Sequence, residues 1–189
     1  MNIVYGGSFN PPTKAHKQII ENLLDMYSPE HLIIVPTSEQ YTLKNNLIPI
    51  KYRIEMLKLL TTDKRVIISD FEEKTPHYQG TYKTLEYLKK DYDEIYFAMG
   101  ADNLDYISSW LNHDLLIKSY KFIVIGRPGF NLMASLKKEV NREYHSNFSM
   151  MHFYSDVSST SVRGDVLSHT DMLNDNIVSY IKKNKLYEV

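Results

Sequence analysis

Short apolar runs that alternate with longer amphipathic stretches constrain the fold of this chain more than any other feature. The runs are rich in β-branched and aromatic residues. They lie at residues 3–5, 32–35, 66–68, 95–98, 122–125 and 150–154. Continuous apolar strands separated by helices are typical of a parallel sheet that is covered on both faces. The sequence therefore predicts an α/β fold: a Rossmann-like, doubly wound parallel sheet of about six strands, with C-terminal helices.

The stretches between these runs carry apolar residues at the period of a helix. The clearest examples are Ile19, Ile20, Leu23, Leu24 and Tyr27, then Ile54, Leu57 and Leu60, then Tyr82, Leu85 and Leu88. Residues 177–187 predict a terminal helix whose lysines suit the negative end of the helix dipole. We expect one domain that spans residues 1–189.

Composition limits the partners that such a domain can take. Hydrophobic residues make up 43% of the chain and charged residues 24%, as in ordinary soluble globular proteins. The 22 basic and 23 acidic residues give a net charge of −1, so the chain lacks the basic excess that nucleic-acid binding requires. There is no cysteine for a disulfide or a thiolate metal site. The first residues lack a signal-peptide pattern, so we expect a cytoplasmic protein without membrane contact.

The ends of the predicted strands indicate where a ligand would bind. Parallel sheets of this kind bind ligands beyond the carboxyl ends of their strands. The loops after Tyr5, Val35, Ala98 and Tyr154 are therefore the candidate site. Residues 36–49 form an irregular stretch longer than most loops, which predicts a binding loop or lid.

The first of these loops has the composition of a phosphate site. Gly6 and Gly7 follow the first strand and predict a sharp turn with close approach to a ligand. Thr13 is a good N-cap, so a helix should begin there with its positive end toward the sheet. Thr13 and His16 then share one face and can both donate hydrogen bonds to phosphoryl oxygens. An isolated histidine at this position is more often a cap or a packing residue, so the prediction depends on the whole segment.

A second group of hydroxyl residues follows the last predicted strand. Ser158, Ser159 and Thr160 open a predicted helix, and Arg163 lies one turn further along. Hydroxyls and backbone N–H groups at a helix start can bind polyphosphate, and arginine adds a charged, two-pronged donor. Ordinary capping would explain this cluster if it stood alone.

Together the two segments carry a resemblance to the nucleotidyltransferase superfamily. Residues 6–16 resemble its Gly-rich turn followed by Thr/His-x-Gly-His, with Ala15 in place of the usual glycine. Residues 157–163 resemble its Ile-Ser-Ser-Thr-x-x-Arg motif. The resemblance implies that His16, Thr13 and Arg163 are catalytic. It also implies an ATP site at Gly6, Gly7, Ser8, Phe9, His16, Gly100, Asp102, Ser158, Ser159, Thr160 and Arg163.

The middle of the chain resembles the bacterial nicotinate-nucleotide adenylyltransferase family. The resemblance rests on the Gly100-Ala101-Asp102 segment with Trp110, on residues 80–84, and on Arg127. It implies an acceptor site at Lys44, Thr81, Trp110 and Arg127, in which Trp110 offers a flat face to a pyridine ring. The chain departs from the family pattern at Glu39 and Gln40, where prolines are usual, at Lys83, where an acid is common, and at Leu111, where an aromatic residue is common.

This resemblance implies adenylyl transfer from ATP to nicotinate mononucleotide, with pyrophosphate as the second product, as a step of NAD biosynthesis. The acceptor phosphate is already a nucleophile, so the protein must chiefly align reactants and neutralise charge. Mg²⁺ is expected to bridge phosphate oxygens with few or no protein ligands. A homo-oligomer is compatible with the sequence. Two alternatives stay open: another nucleotidyltransferase, such as a phosphopantetheine adenylyltransferase, and a nucleotide-binding sensor without turnover.

Overall fold

The computed structural model describes residues 1–41, 46–126, 129–157 and 159–187, and these residues contain a six-stranded parallel sheet. The strands are β1 (Asn2–Gly7), β2 (Leu32–Pro36), β3 (Val66–Ile68), β4 (Ile95–Gly100), β5 (Lys121–Gly126) and β6 (Phe148–His152). Their order across the sheet is β3-β2-β1-β4-β5-β6, and every neighbouring pair is parallel. The predicted Rossmann-like architecture is confirmed.

Helices cover both faces of the sheet. They are α1 (Lys14–Tyr27), α2 (Ile50–Lys58), α3 (Phe71–Lys74), α4 (Thr81–Leu88), α5 (Ala101–Leu104), α6 (His113–Ser119), α7 (Leu132–Glu139), α8 (Ser159–Gly164) and α9 (Asp175–Lys183). Short 3-10 turns lie at Ile107–Ser109, Arg142–Asn147 and Leu167–Met172. No helix in the described ranges is both long enough and apolar enough to cross a membrane.

Alternation along the strands divides the core between the two faces. Ile3 points to one side, where it joins apolar residues of α1, α2 and α9. Val4 points to the other side and joins residues of α4, α6 and α7. Both residues are completely buried, as the continuous apolar runs require. The chain reverses its winding direction between β1 and β4, so the crevice at their carboxyl ends is where a ligand would bind.

Gly6 and Gly7 do not form the predicted turn after the first strand. Both lie within β1 and pair with Val35 and Pro36 of β2. A Cβ atom at Gly6 would lie 2.8 Å from the ring of Phe97, and one at Gly7 would lie 2.9 Å from the ring of Phe9. The glycines therefore allow aromatic rings to approach the end of the strand.

Two predicted element bounds are wrong near the C-terminus. The last strand ends at His152, two residues earlier than the apolar run, because Phe148 stacks on Phe122 with ring centroids 4.4 Å apart and fixes the register. Tyr154 is mostly exposed beyond the strand. The terminal helix ends at Lys183 rather than Tyr187, since Lys185 and Tyr187 adopt positive φ angles of 50° and 57° that a helix cannot contain.

Candidate active site

A polar groove runs along the carboxyl ends of β1 and β4 toward α8. Two adjoining depressions form it, and they share His16, Gly100 and Ser159. Thr13 and Asp102 line one depression, while Thr160 and Arg163 line the other. The groove thus brings the two ends of the chain to the same edge of the sheet.

His16 is held by the start of its own helix. The Thr13 backbone N–H donates to His16 Nδ1 over 3.0 Å, and Thr13 Oγ1 lies 2.9 Å from the same nitrogen. This is a capping box in which histidine takes the place of the usual glutamate. Because Nδ1 accepts a hydrogen bond, the neutral ring carries its proton on Nε2. The imidazole is therefore held at the border of the groove with its N–H on Nε2.

Phe9 supports His16 from behind. Its ring is 1% exposed and meets the rings of Tyr5 and His16 edge to face, with centroids 5.3 and 5.1 Å apart. Its φ of 48° lies in the left-handed region, which is uncommon for a bulky residue. Phe9 borders the groove, but its buried ring makes it a packing partner of His16 more than a contact surface.

Helix α8 is attached to the loop after β1 by side chains of the predicted second motif. Ser159 Oγ donates to the Pro11 carbonyl over 3.0 Å, and Arg163 Nη1 donates to the Asn10 carbonyl over 2.8 Å. Arg163 Nη2 also donates to Thr160 Oγ1 over 3.0 Å. These bonds hold the guanidinium and its positive charge at the border of the groove.

Asn10 connects this loop to two further segments. Its Nδ2 donates to the Asn46 carbonyl over 2.9 Å, and its Oδ1 accepts from the Tyr187 hydroxyl over 2.8 Å. Burial raises the pKa of Tyr187 above its usual range, so the phenol stays protonated and can donate. The C-terminal segment therefore helps to fix Asn10, which lines the groove.

We expect the variant Tyr187→Phe to lower the free energy of unfolding by about 1 kcal/mol, because Asn10 loses a partly buried hydrogen-bond donor. For a chain of this size, this corresponds to a melting temperature lower by about 2–4 °C in calorimetry. Tyr154→Phe is the matched control, since its hydroxyl also donates, to Asp156, but from a side chain that is 67% exposed. Equal shifts for the two variants would contradict this role of Tyr187.

An aromatic cavity opens beside the groove. Its walls include the rings of Tyr41, Tyr78, Phe97 and Trp110. Trp110 meets Phe97 edge to face, with ring centroids 6.3 Å apart, and remains partly exposed to the cavity. Thr81 lines the cavity at the first residue of α4.

The aromatic cavity and the polar groove meet at the end of β1. Gly6, Gly7, Ser8 and Asn103 line both of them. A ligand in the cavity and a ligand in the groove would therefore approach each other at this point. Asn103 lines both cavities but is absent from the predicted site residues, although it directly follows Asp102.

Arg53 lies behind this meeting point as a completely buried cation. Its Nε donates to the Ile48 carbonyl over 2.9 Å, and its Nη1 donates to the Ser8 carbonyl over 2.8 Å. Glu39 Oε2 lies 3.5 Å from Nη2. Burial lowers the pKa of Arg53 from its usual value, and the negative charge of Glu39 opposes that shift. Arg53 joins residues 8, 39 and 48 and does not line either cavity.

The predicted site residues that the structure describes divide between the two cavities. Thr81 and Trp110 line the aromatic cavity only. The groove is lined by Gly6, Gly7, Ser8, Phe9, Thr13, His16, Gly100, Asp102, Ser159, Thr160 and Arg163. Lys44, Arg127 and Ser158 lie outside the described residues. The arrangement assembles the two predicted binding regions, and the role of each residue remains a prediction.

The groove offers few ligands to a metal ion. Asp102 is the one acidic side chain among its described lining residues. Across the described part of the chain, no group of three or more His, Cys, Asp or Glu residues is placed to hold a metal. Any divalent ion here would take most of its ligands from water and from substrate oxygens.

Comparison with known proteins identifies the class. A sequence model of the cytidylyltransferase-like family matches residues 4–165, a span that contains both predicted phosphate-binding segments. The chain therefore belongs to the cytidylyltransferase-like family of nucleotidyltransferases.

Relatives narrow the class further. A protein of Acholeplasma laidlawii named probable nicotinate-nucleotide adenylyltransferase is 38% identical over 188 residues, which cover 100% of this chain and 98% of that protein. A protein of Clostridium acetobutylicum with the same name is 30% identical over 194 residues, 97% of each chain. Within the class, the chain thus belongs to the nicotinate-nucleotide adenylyltransferases, as its motifs predicted.

A solved structure independently supports the fold. The nicotinic acid mononucleotide adenylyltransferase of Plasmodium falciparum, complexed with NaAD, superposes with a TM-score of 0.81 at 21% identity. The match covers 99% of this chain and 97% of that one.

Proposed function

We propose that this chain transfers AMP from ATP to nicotinate mononucleotide, which yields nicotinate adenine dinucleotide and pyrophosphate. The observation that carries the proposal is the junction of an aromatic cavity and a phosphate-type groove at the end of β1. Adenylyl transfer needs two nucleotides to meet at one phosphorus atom, and this junction offers such a place. The names of the relatives supply the identity of the acceptor.

ATP would lie in the polar groove. The N-terminus of α1 contributes the positive end of a 14-residue helix, and Thr13 and His16 lie at that end. His16 would donate from Nε2 to a phosphoryl oxygen on which charge develops, and Arg163 would neutralise the leaving pyrophosphate. Asp102 can accept hydrogen bonds from ribose hydroxyls at the far side of the groove.

Nicotinate mononucleotide would lie in the aromatic cavity with its phosphate directed toward Gly7 and Ser8. Its 5′-phosphate oxygen attacks the α-phosphorus of ATP, the new P–O bond forms, and the bond to pyrophosphate breaks. The attacking oxygen is already anionic, so no covalent intermediate and no general base are required. Trp110 would stack on the ring, and backbone N–H groups at the start of α4, beside Thr81, would receive the carboxylate.

Mg²⁺ bound with ATP would supply positive charge that neutralises the phosphates. Among the described residues of the groove, Asp102 is the single acidic one, which fits an ion that keeps water and substrate ligands. We propose that turnover by this chain depends on a divalent ion. We also propose that Ser158 contributes to the ATP site and that Lys44 and Arg127 contribute to the acceptor site.

Pyrophosphate release from ATP tests the proposal. The assay is run in parallel with nicotinate mononucleotide, nicotinamide mononucleotide and phosphopantetheine, each with and without Mg²⁺. We expect release with nicotinate mononucleotide and loss of release with a chelator. Release with phosphopantetheine instead would assign the chain to another nucleotidyltransferase reaction. No release with any acceptor, together with measurable ATP binding, would favour a nucleotide sensor.

Trp110→Ala is expected to raise the KM for nicotinate mononucleotide about tenfold, because aromatic stacking on a base contributes ~1–3 kcal/mol. The KM for ATP should change little, since Trp110 does not border the groove. Trp110→Phe should recover part of the loss. Tyr106→Ala, which removes a nearby ring that is 65% exposed, serves as control. A similar rise in both KM values would contradict a ring-stacking role.

A further inference from the structure

The charge of the aromatic cavity does not match the anionic groups of its proposed ligand. Among the described residues that line the cavity, Glu72 alone has a charged side chain. The remaining lining residues are glycine, neutral polar, aliphatic or aromatic residues. Nicotinate mononucleotide carries a phosphate and a carboxylate, and a fixed acid would repel both of them. The one cationic group of this acceptor is its quaternary ring nitrogen.

Glu72 is held in place by two hydrogen bonds. Its Oε2 accepts from the Ser38 backbone N–H over 2.7 Å, and its Oε1 accepts from Thr84 Oγ1 over 3.2 Å. Ser38 and Thr84 are both buried. With a donor at each oxygen, both atoms act as acceptors, as those of an ionised carboxylate do. Burial raises the pKa of Glu72 above its usual value, and these two donors and the charge of Arg53 offset part of that shift.

Aromatic rings share the cavity with this carboxylate. Tyr41 and Tyr78 meet edge to face with centroids 5.0 Å apart. Burial raises the pKa of both phenols, and the negative charge of Glu72 adds to that shift. Proteins commonly recognise quaternary cations with the faces of aromatic rings. A nearby anion adds Coulomb attraction.

We infer that Glu72 is a specificity-determining residue that recognises the positive charge of an oxidised pyridine ring. The inference rests on the proposed function, since it assigns a role within the same acceptor site. It defines the acceptor class as pyridinium mononucleotides. Mononucleotides whose six-membered ring is uncharged are poor substrates, even when their shape and their carboxylate are retained.

Glu72→Gln removes the charge and preserves the contacts. The amide oxygen accepts from the Ser38 N–H, and the amide nitrogen donates to the Thr84 hydroxyl, which accepts instead of donating. The wall formed by α3, α4 and residue 38 is therefore retained. Glu73→Gln is the matched control, because its side chain is exposed one residue further along α3.

The experiment measures kcat/KM for two acceptors in the wild-type chain and in both variants. One acceptor is nicotinate mononucleotide. The other is 3-carboxyphenyl C-riboside 5′-phosphate, in which carbon replaces the charged ring nitrogen. We expect the wild type to prefer the pyridinium by about tenfold or more, and Glu72→Gln to lose about tenfold with the pyridinium only. The KM for ATP and the control variant should be unchanged.

Three results would overturn the inference. An equal loss with both acceptors would assign Glu72 to the cavity wall alone, and no loss with either would remove it from recognition. A gain with nicotinate mononucleotide would show that Glu72 repels the carboxylate instead. If the wild type released no pyrophosphate with nicotinate mononucleotide, the proposed function would fail. Calorimetric binding of the two acceptors to the wild type and to Glu72→Gln would then decide the charge preference of the cavity.

Discussion

The variant His16→Ala is expected to lower kcat by about 10²- to 10³-fold, which is the usual effect of removing one positioned donor to a developing negative charge. The Thr13 N–H donates to Nδ1, so the neutral ring carries its proton on Nε2. From there it would donate a hydrogen bond to a phosphoryl oxygen. The KM for ATP should change much less than kcat, because this donor contributes mainly in the transition state. Initial rates of pyrophosphate release at saturating substrates measure both constants.

Two controls separate chemistry from folding in this experiment. His113→Ala removes a histidine at the start of α6, which borders neither the groove nor the aromatic cavity, and should leave turnover unchanged. Near-ultraviolet circular dichroism should show that His16→Ala keeps its tertiary structure, although the variant loses the capping box of α1. Turnover of a folded His16→Ala within a few-fold of the wild type would remove His16 from catalysis.

The sheet could be predicted from the sequence because its central strands are buried on both faces. Residues such as Ile33 and Val124 leave no solvent-facing position for a polar side chain, so the apolar runs mark the strands directly. The edge strand β6 was predicted two residues too late. It contains the exposed Ser149 and His152, and its register depends on the stacking of Phe148 on Phe122, which lies on another strand.

The candidate site could be predicted only where its residues follow one another in the chain. Thr13 and His16 are one helical turn apart, so their shared orientation follows from local structure. Arg163 contacts Asn10 across 153 positions, and Tyr187 contacts it across 177 positions. No local pattern specifies such contacts, because they arise when the two ends of the chain meet at one edge of the sheet.

Local sequence also fails to predict the surroundings of a charged side chain, and Glu72 is an example. In the sequence it stands beside Glu73 in an unremarkable acidic pair. The fold exposes Glu73 and turns Glu72 toward Ser38 and Thr84, on segments 34 and 12 positions away. A carboxylate acquires a specific function when its surroundings exclude water and supply hydrogen-bond donors. Both conditions depend on the tertiary structure.

Arg53→Met is expected to lower the free energy of unfolding by about 3 kcal/mol, since it leaves the Ser8 and Ile48 carbonyls without their donor, at roughly 1–3 kcal/mol for each. Methionine fills much of the same volume, so loss of packing contributes little. Urea denaturation followed by circular dichroism measures the change. Lys51→Met, on the exposed side of the same helix, should change stability by less than about 0.5 kcal/mol.

The Arg53 result depends on whether the lost hydrogen bonds outweigh the cost of burying a charge. Replacement of a buried ionic group by a hydrophobic one is neutral or stabilising in some proteins, because the desolvation penalty disappears. Here Glu39 is 43% exposed and stays solvated when its partner is removed, so the penalty comes mainly from the two carbonyls, with a further contribution from Glu72, whose charge Arg53 also offsets. An unchanged or higher midpoint in urea would mean that water satisfies those carbonyls. A lower midpoint with lower kcat would show that Arg53 also positions Ser8 at the meeting point of the two substrates.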